Sequence, residues 1–475
     1  MPLILGAQSA VATGFSIPNS CRFNRADEPI LARTQSASPT NDDICTMSLW
    51  FKPGAQTATA GRGFSFGGSD DVSNRAHFYV ESTSDLYYYG KLSGSANLTF
   101  QSDMHIRDAG AWYHYVLSID TTQAVEASRI RSYINNVEVT SWSTSTSPSQ
   151  NDNTPLNTGT NMLLGAIRGG SYQLYNWSDA YLAEIVFIDG QQLTPSSFGE
   201  ADETSPSIWK PIDVSGLTFG VNGFYIDFHD SADLGNDISG NNNDFTETNL
   251  AAVDQCTDTP TNNFATMNPL DNDSSTFSEG NTTLTWTATN KTNKSTIGMS
   301  AGKWYAECKC TDINGGISGT LVGVGTEANI ASTYLSSTNS GWGYRCQTGE
   351  IQNGAGNEAY GDTYTDGDII GVAVDVDNGY VYMSKNGVWQ DSGDPTSGAS
   401  GTGAANNQPS YGAVLSGTQF FGCSSYDTDV VAWNFGNPPF TGTDQDDDNG
   451  FGSFEYDPPS GYLALCTKNL ATDGG

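Results

Sequence analysis

Carboxylates at metal-ligand spacing are the first feature of this chain with a capacity for chemistry. They fall at the first, third, fifth and twelfth positions of a calcium-binding loop: Asp444, Asp446, Asp448 and Glu455. Carboxylate oxygens at this spacing suit a calcium ion. Gly450 stands one place later than such a loop requires and no flanking helix is predicted, so a solvated acidic loop is the alternative. The Asn- and Asp-rich loop 233–244 is a second candidate calcium site, although turns of this composition form without a metal.

Aromatic side chains beside hydrogen-bonding groups are the second such feature, because these rings offer an apolar face together with a polar handle. The ligand candidates are Tyr172, Tyr175 and Trp177. Tyr175 and Trp177 are two residues apart, so in a strand they share one face. The alternative is that these rings fill the protein core or a subunit interface. The sequence therefore offers a candidate glycan platform.

A complete catalytic constellation is not evident. A retaining glycosidase needs two carboxylates roughly 5–5.5 Å apart, which same-face neighbours on one strand can supply. Glu184 is the natural candidate, but in an unbroken strand its same-face neighbours are Leu182 and Val186. No Ser–His–Asp set is evident, and His114 is predicted to be a packed residue. We therefore expect a protein that is not an enzyme, with no catalytic residue and calcium as its one candidate cofactor.

The charge of the chain limits its partners. Asp and Glu number 53 against 19 Lys and Arg, a formal charge of −34. Phosphate binding needs a basic surface, so a nucleic-acid partner and an anionic membrane surface are not expected. The excess charge provides solubility by self-repulsion, or suits salty water in which repulsion is screened. No apolar run approaches the ~20 residues of a membrane helix, and residues 1–6 do not have the pattern of a signal peptide.

The stretch 369–390 shows most clearly which elements must position these residues. Its apolar residues alternate with small or polar ones, as in a half-buried strand: Ile370, Val372, Val374 and Val376. The turns 377–379 and 386–387 are rich in Asn and Gly, which tolerate the positive φ of tight hairpins. A three-strand antiparallel meander follows. With 53 glycines and many short apolar runs between turn residues, the whole chain is predicted to be all-β.

At 475 residues the chain is too long for one ordinary core. We predict two antiparallel β-sandwich (jelly-roll) domains, at 1–220 and 272–475, joined by a structured linker at 221–271. The linker is rich in Asn and Asp and has few apolar residues to bury. The eight scattered cysteines are predicted to be buried thiols rather than a disulfide scaffold or a zinc site.

Several of these strands resemble known families. The first domain resembles laminin-G-like, concanavalin-type jelly rolls, in the segments 48–52, 112–120, 130–137 and 180–189. The second resembles a SPRY-type sandwich, in the segments 302–307, 322–325, 341–344, 368–375 and 382–387. The SPRY resemblance is the more specific, because the strand that ends in Asn-Gly follows the Gly-Val-Ala-Val-Asp strand at the right distance.

The whole arrangement is similar to tandem jelly-roll proteins of tailed bacteriophages, particularly marine ones. The similarity rests on the Asp-x-Ser-Gly-Asn-x-Asn-Asp loop at 237–244 and on the segments 258–266 and 464–470. It implies a virion structural protein, a tail or head fibre component that assembles in the host cytoplasm and is exposed on the particle exterior. The implied partners are other virion proteins, further copies of this chain and host surface polysaccharide. A retaining polysaccharide hydrolase and a secreted bacterial adhesin are the alternatives.

Overall fold

Two compact units make up the chain, Ala12–Thr261 and Asn262–Gly475, here named the first and the second unit. The computed structural model describes residues 14–35, 37–54, 64–69, 75–80, 84–91, 98–154, 156–157, 161–168, 174–175, 177–271, 275–286, 291–313, 319–327, 334–409, 411, 414–425, 428–440 and 442–473. Within these ranges, no helix combines the length and the apolar character needed to cross a membrane.

The first unit is built from short strands. In chain order they are β1 (Ser20–Phe23), β2 (Ile30–Thr34), β3 (Ile44–Pro53), β4 (Ser65–Ser69), β5 (Arg75–Val80), β6 (Asp85–Lys91), β7 (Leu98–His105), β8 (Tyr113–Asp120), β9 (Ile130–Ile134), β10 (Val137–Glu138), β11 (Trp142–Thr146), β12 (Asn161–Leu164), β13 (Ile167–Arg168), β14 (Leu174–Tyr175), β15 (Ala180–Asp189), β16 (Gly199–Ala201), β17 (Trp209–Pro211), β18 (Phe224–Ile226), β19 (Thr246–Thr248) and β20 (Gln255–Cys256). Short 3₁₀ helices lie at Arg25–Asp27, Glu126–Ser128, Pro195–Ser197 and Ala252–Asp254.

Two antiparallel sheets form the first unit. One has the strand order β10-β9-β8-β3-β15-β1-β20, with β18 also paired to β15, and the other has the order β11-β7-β6-β5-β4-β12-β2-β19. One core cluster takes side chains from both sheets. Tyr115 of the first sheet lies with its ring 5.7 Å from that of Phe78 in the second. The first unit is therefore a β-sandwich.

Alternation and turn residues explain these strands locally. In β8, Tyr115, Leu117 and Ile119 enter the core while His114 points to the opposite face. The hairpin between β9 and β10 turns at Asn135 (φ 45°) and Asn136 (φ 67°), the left-handed conformations that asparagine tolerates better than most residues.

A third layer covers the outer face of the β3–β8–β15 sheet. Val116 and Val186 of the sheet pack there against Phe198, Val214 and Phe219. Those three belong to the segment 190–220, which includes the hairpin of β16 and β17. Both faces of this sheet are thus buried, so β3 and β15 are almost continuously apolar and buried.

The segment 221–271, predicted as a linker, divides at Thr261, and its larger part is integrated into the first unit. Strand β18 pairs with β15, β19 with β2 and β20 with β1. Phe224, Ile226 and Phe245 enter the sandwich core. The few apolar residues of this segment are therefore core residues, and its polar loop is a feature of the sandwich rim.

The second unit is also built from strands. They are β21 (Ser275–Ser278), β22 (Thr283–Trp286), β23 (Lys291–Lys294), β24 (Lys303–Asp312), β25 (Leu321–Gly325), β26 (Gly341–Arg345), β27 (Glu350–Asn353), β28 (Gly356–Ala359), β29 (Ile369–Asp375), β30 (Tyr380–Lys385), β31 (Val388–Trp389), β32 (Phe420–Ser425), β33 (Val430–Asn434), β34 (Gln445–Asp446), β35 (Ser453–Phe454) and β36 (Leu463–Ala464). Short 3₁₀ helices lie at Gln390–Ser392 and Pro395–Ser400, and helix α1 spans Thr467–Asp473.

Two main sheets form the second unit, in the orders β21-β22-β33-β24-β29-β30-β31 and β23-β32-β25-β26-β27-β28. Trp433 of the first sheet lies against Phe421 of the second, with the rings 6.1 Å apart. Gly323 is required where the chains approach closely, because a Cβ there would lie 1.9 Å from the carbonyl oxygen of Trp342. The predicted fold class, all-β with β-sandwich domains, is confirmed.

Candidate functional site

The acidic residues predicted to bind calcium lie in a β-hairpin. Strand β34 pairs with β35, with Asp446 opposite Ser453. Asp444 accepts a hydrogen bond from the Ser453 hydroxyl (3.1 Å), and Glu455 accepts one from the backbone N–H of Thr443 (3.0 Å). Asp448 accepts one from the backbone N–H of Gly461 (2.6 Å). Each of these three carboxylates therefore accepts a hydrogen bond from a nearby backbone N–H or hydroxyl group of the protein.

In the described structure, Asp444, Asp446, Asp448 and Glu455 are not grouped as metal ligands, and their calcium role stays a prediction. Among the described residues, no group of three or more Asp, Glu, His or Cys side chains is placed to hold a metal ion. The spacing of a calcium loop requires the chain to wrap around the ion, whereas strand pairing extends it. Asp447, which the pattern did not select, is the buried one, and it accepts hydrogen bonds from Phe451, Ala464 and Asn469.

The second candidate calcium loop, 233–244, closes on itself. Asp237 is buried and accepts hydrogen bonds from the backbone N–H groups of Tyr225 (2.9 Å), Ser239 (2.9 Å) and Asn243 (2.8 Å). Asp244 accepts one from the N–H of Asp237 (2.9 Å). Backbone donors thus take the place that a cation would occupy, so the loop needs no metal.

The predicted aromatic platform is only partly described. Tyr172 lies outside the described residues. The backbone of Tyr175 belongs to β14, which pairs with β13, and its side chain lies outside the described part. Trp177 is half-buried. The glycan role of these three residues therefore stays a prediction.

An open polar cleft of about 380 Å³ lies on the first unit, and the sequence analysis did not anticipate it. Its floor is formed by outward-facing residues of three neighbouring strands: Ala32 and Thr34 of β2, Asn161 and Leu163 of β12, and Thr246 of β19. One wall is the end of the Asp237 loop: Asn242, Asn243 and Asp244. Arg33 completes the lining. We name this site the polar cleft.

Internal hydrogen bonds fix the polar cleft in place. Arg33 donates to the carbonyl oxygen of Asn222 (3.0 Å) and to Oδ1 of Asn243 (2.5 Å). The Asn243 amide in turn donates to the carbonyl oxygens of Val221 (3.0 Å) and Gly223 (2.8 Å). Because these groups bond to protein, they hold the wall of the cleft in shape.

Other polar groups of the cleft remain available. Asn161 accepts a hydrogen bond from Thr34 (2.7 Å) through Oδ1, which leaves its amide N–H groups to donate outward. Asp244 accepts a hydrogen bond from the N–H of Asp237 through Oδ1, and Oδ2 makes no hydrogen bond to a described residue. Asn242 and Thr246 are exposed side chains on the rim. Donors and acceptors that can pair with hydroxyl groups therefore converge on one concave surface.

Glu184 lies outside the cleft, in a bulge that the alternation pattern did not anticipate. The register of β15 against β3 shifts between Ala183 and Val186, and Glu184 adopts φ 48°. Leu182 and Ile185 both enter the core, whereas Ala183, Glu184 and Val186 face the third layer. The expectation that Leu182 shares the face of Glu184 was therefore wrong, because a bulge adds one residue to the strand and reverses the alternation.

Burial makes Glu184 a neutral group at neutral pH. Its side chain lies behind the third layer, and Oε2 accepts a hydrogen bond from the Tyr225 hydroxyl (2.5 Å). Burial raises the pKa of the carboxyl group to about 8. A second carboxylate does not line its cavity in the described structure. Glu184 therefore does not form the carboxylate pair of a retaining glycosidase.

A buried Ser–His pair is present nearby but has the wrong tautomer for nucleophilic catalysis. His114 Nε2 lies 2.8 Å from Ser48 Oγ, and Trp209 donates its indole N–H to His114 Nδ1 (2.9 Å). An indole nitrogen only donates, so Nδ1 is unprotonated and Nε2 carries the proton. Nε2 then donates to Ser48 and cannot take its proton. Burial also lowers the pKa of His114 to about 3, consistent with the packed role predicted for it.

The fold defines two all-β units, and a different family model matches a part of each. Residues 30–173 match the Concanavalin A-like lectin/glucanases superfamily, and residues 303–406 match the SPRY domain. The chain therefore carries a laminin G-like, concanavalin-like domain followed by a SPRY domain. Domains of these kinds are typically non-catalytic.

Three solved structures are similar to parts of the chain. The SPRY domain of human HERC1 is 16% identical, with a TM-score of 0.25, and the alignment covers 32% of this chain and 87% of that one. A heptameric SAP-like pentraxin from Limulus polyphemus is 16% identical, with a TM-score of 0.27 and coverages of 38% and 80%. A human SPRY domain is 15% identical, with a TM-score of 0.24 and coverages of 34% and 94%.

Proposed function

We propose that this chain is a non-enzymatic structural protein of a tailed-bacteriophage virion, a tail or head fibre component whose polar cleft binds polysaccharide on the host surface. It assembles in the host cytoplasm with other virion proteins and further copies of itself, and it is exposed on the particle exterior. The resemblance of the segments 237–244, 258–266 and 464–470 to phage tandem jelly-roll proteins supports the virion part of the proposal.

The polar cleft is the observation that carries the binding part. Its floor consists mostly of short side chains, so a chain of sugar rings can approach the sheet closely. Its amide, hydroxyl and carboxylate groups supply both donors and acceptors, from Asn161, Asn242, Asp244 and Thr246. A concave surface with a few convergent polar groups is typical of small-molecule and sugar sites.

The hydrolase alternative requires two opposed carboxylates beside the bound sugar. Asp244 is the one carboxylate among the described residues that line the cleft. Glu184 is buried behind the third layer and faces a different cavity. The proposal therefore assigns binding without bond cleavage, and predicts that purified protein releases no reducing sugar from polysaccharide that it binds.

The binding part is tested with polysaccharide extracted from the host cell surface and the full chain, by biolayer interferometry. Thr246→Trp fills the cleft from the exposed edge strand β19, and we expect at least tenfold weaker binding. Asn242→Gly removes one rim amide at a residue with φ 55°, a conformation that glycine adopts without strain, and we expect a smaller loss. Val388→Trp, on an exposed residue of the second unit, is the matched control and should bind normally. Equal binding by all four proteins would refute the cleft assignment.

The virion part is tested separately. Mass spectrometry of purified particles should detect this chain in a constant ratio to the capsid protein, and gold-labelled antibody should decorate particle exteriors. Detection of the chain only on bacterial cells would instead support the secreted adhesin. Light scattering on the purified chain measures whether copies associate.

A further inference from the structure

Three ionisable groups lie in the lining of the polar cleft or directly behind it. Arg33 is its one described cation, and it lies among the carboxylates of Asp237 and Asp244, both of which interact with its charge. The two groups that line the cleft, Arg33 and Asp244, cancel in charge, and the buried carboxylate of Asp237 behind them brings the set to a net charge of −1. The chain as a whole carries −34.

The cation is also tied into the wall of the cleft. Arg33 is partly buried, and it directs Nη1 to the carbonyl oxygen of Asn222 and Nη2 to Oδ1 of Asn243. A guanidinium that recognises a carboxylate or a sulfate presents two parallel N–H groups to it. Here the corresponding N–H groups on both terminal nitrogens are bonded to protein. Two of the five N–H groups of Arg33 are therefore committed to the wall of the cleft.

Asp244 is the charged group that a ligand meets. It is exposed, Oδ1 accepts a hydrogen bond from the N–H of Asp237, and Oδ2 makes no hydrogen bond to a described residue. A carboxylate accepts hydrogen bonds only, so it pairs with a sugar hydroxyl and repels a carboxylate, sulfate or phosphate group. Asn161 and Asn242 add amide groups, which both donate and accept. A sugar hydroxyl group also donates and accepts hydrogen bonds, so an uncharged sugar can pair with the carboxylate and with the amide groups of this site.

We infer that the polar cleft selects uncharged polysaccharide and rejects polysaccharide that carries carboxylate, sulfate or phosphate groups. This inference rests on the proposed function, because it names the ligand class of the same cleft. It also assigns Asp244 as the residue that determines the selectivity.

The test uses the full chain and matched polysaccharides that differ only in charge, immobilised on one glycan array. Suitable pairs are dextran with dextran sulfate, laminarin with sulfated laminarin, and methyl-esterified with free polygalacturonate, together with the extracted host polysaccharide. A polysaccharide that loses binding in Thr246→Trp binds through the cleft. Within each pair that meets this condition, we expect the uncharged polysaccharide to bind at least tenfold tighter than the charged one.

Asp244→Asn isolates the local charge, because the amide keeps the Oδ1 acceptor that holds the N–H of Asp237. We expect the ratio of uncharged to charged binding to fall at least tenfold in this variant. Asp213→Asn makes the same change in net charge at an exposed residue that does not line the cleft, and should leave the ratio unchanged. Repeating the assay at 1 M salt, where the Debye length is about 3 Å, removes the long-range repulsion of the whole chain.

The outcomes separate the two claims. Preference for the uncharged form that depends on Asp244 supports the inference. Equal or tighter binding of the charged form, abolished by Thr246→Trp, overturns the inference and leaves the proposed function standing. Preference that is unchanged in Asp244→Asn also overturns it, because the selectivity then belongs to the whole surface. Absence of cleft-dependent binding to any polysaccharide, the host's included, overturns the proposed function and the inference with it.

Discussion

Replacing Glu184 by glutamine should remove a large pH dependence from the stability of the first unit. Glu184 is 4% exposed, sits in the bulge of β15 and receives the Tyr225 hydroxyl on Oε2. Burial raises the pKa of its carboxyl group from 4.5 to about 8, so the folded protein holds this proton more tightly than the unfolded chain does. Glutamine has nearly the same shape and never ionises.

The sign and size of the effect follow from proton linkage. A carboxyl group whose pKa is raised by folding contributes its full stability below pH 4.5, and loses it as the pH rises towards 8. Each pKa unit corresponds to about 1.4 kcal/mol, so the wild-type loses at most about 5 kcal/mol across this range relative to Glu184→Gln. At pH 5 the variant should be slightly less stable, by about 1 kcal/mol, because it exchanges one hydrogen bond for another in a buried site. Above pH 8 it should be the more stable protein by several kcal/mol.

Urea denaturation of the full chain between pH 5 and pH 9, followed by tryptophan fluorescence, measures this difference. The second unit is identical in both proteins, so the difference in free energy of unfolding reports on the first unit. Glu126→Gln, at an exposed residue of the same unit, is the control and should give a profile parallel to the wild-type. If Glu184→Gln is also parallel to the wild-type, then Glu184 titrates like an exposed carboxyl group and the burial reasoning is refuted.

Three further predictions concern the interior. Lys52 and Asp258 form a fully buried ion pair at 2.7 Å, so Lys52→Met should lower the free energy of unfolding by about 3–5 kcal/mol. The double variant Lys52→Met/Asp258→Leu should recover part of this loss, which thermal unfolding of the double-mutant cycle measures. Glu307 accepts hydrogen bonds from the backbone N–H groups of Glu455 (2.9 Å) and Tyr456 (2.8 Å), so Glu307→Ala should loosen the backbone at residues 455–456. In hydrogen-exchange mass spectrometry, peptides that contain these two residues should exchange faster in the variant, while other peptides should not. All eight cysteines are buried and free, so a thiol reagent should react slowly with native protein and rapidly in urea; fast reaction of the native protein would contradict their burial.

The strands were predictable because their physical cause is local. Alternating apolar residues identified β8 and β29, and the Asn-Gly pair at 386–387 identified the turn between β30 and β31. Side chains that alternate between apolar and polar with a period of two predict a strand, and a residue that tolerates positive φ predicts the turn after it. Glu184 shows the limit of this reasoning. One inserted residue changes the face of the sheet on which each later side chain lies, and no residue type around Glu184 predicts the bulge.

The candidate site was not predictable because it is assembled from distant parts of the chain. Strand β2, strand β12 and the loop before β19 are far apart in sequence and meet only through strand pairing. The calcium spacing at Asp444 stays a prediction, since a pattern of carboxylates does not say how the chain between them is shaped. The Asn-rich loop 237–244 was interpreted as part of a linker because its residues are polar. Their side chains donate hydrogen bonds to backbone carbonyl groups at the rim of the sandwich, and the sequence alone does not indicate these partners.

The contrast between Glu184 and Asp244 explains why binding is assigned to the cleft. Both carboxyl groups have an oxygen without a hydrogen-bond partner among the described residues. Glu184 is buried, so charging it is costly and its protonation state is tied to the stability of the fold. Asp244 is exposed, so water satisfies Oδ2 and a sugar hydroxyl can replace that water at little cost. A group that exchanges partners without disturbing the fold is suited to reversible recognition, and in the first unit such groups converge on the polar cleft.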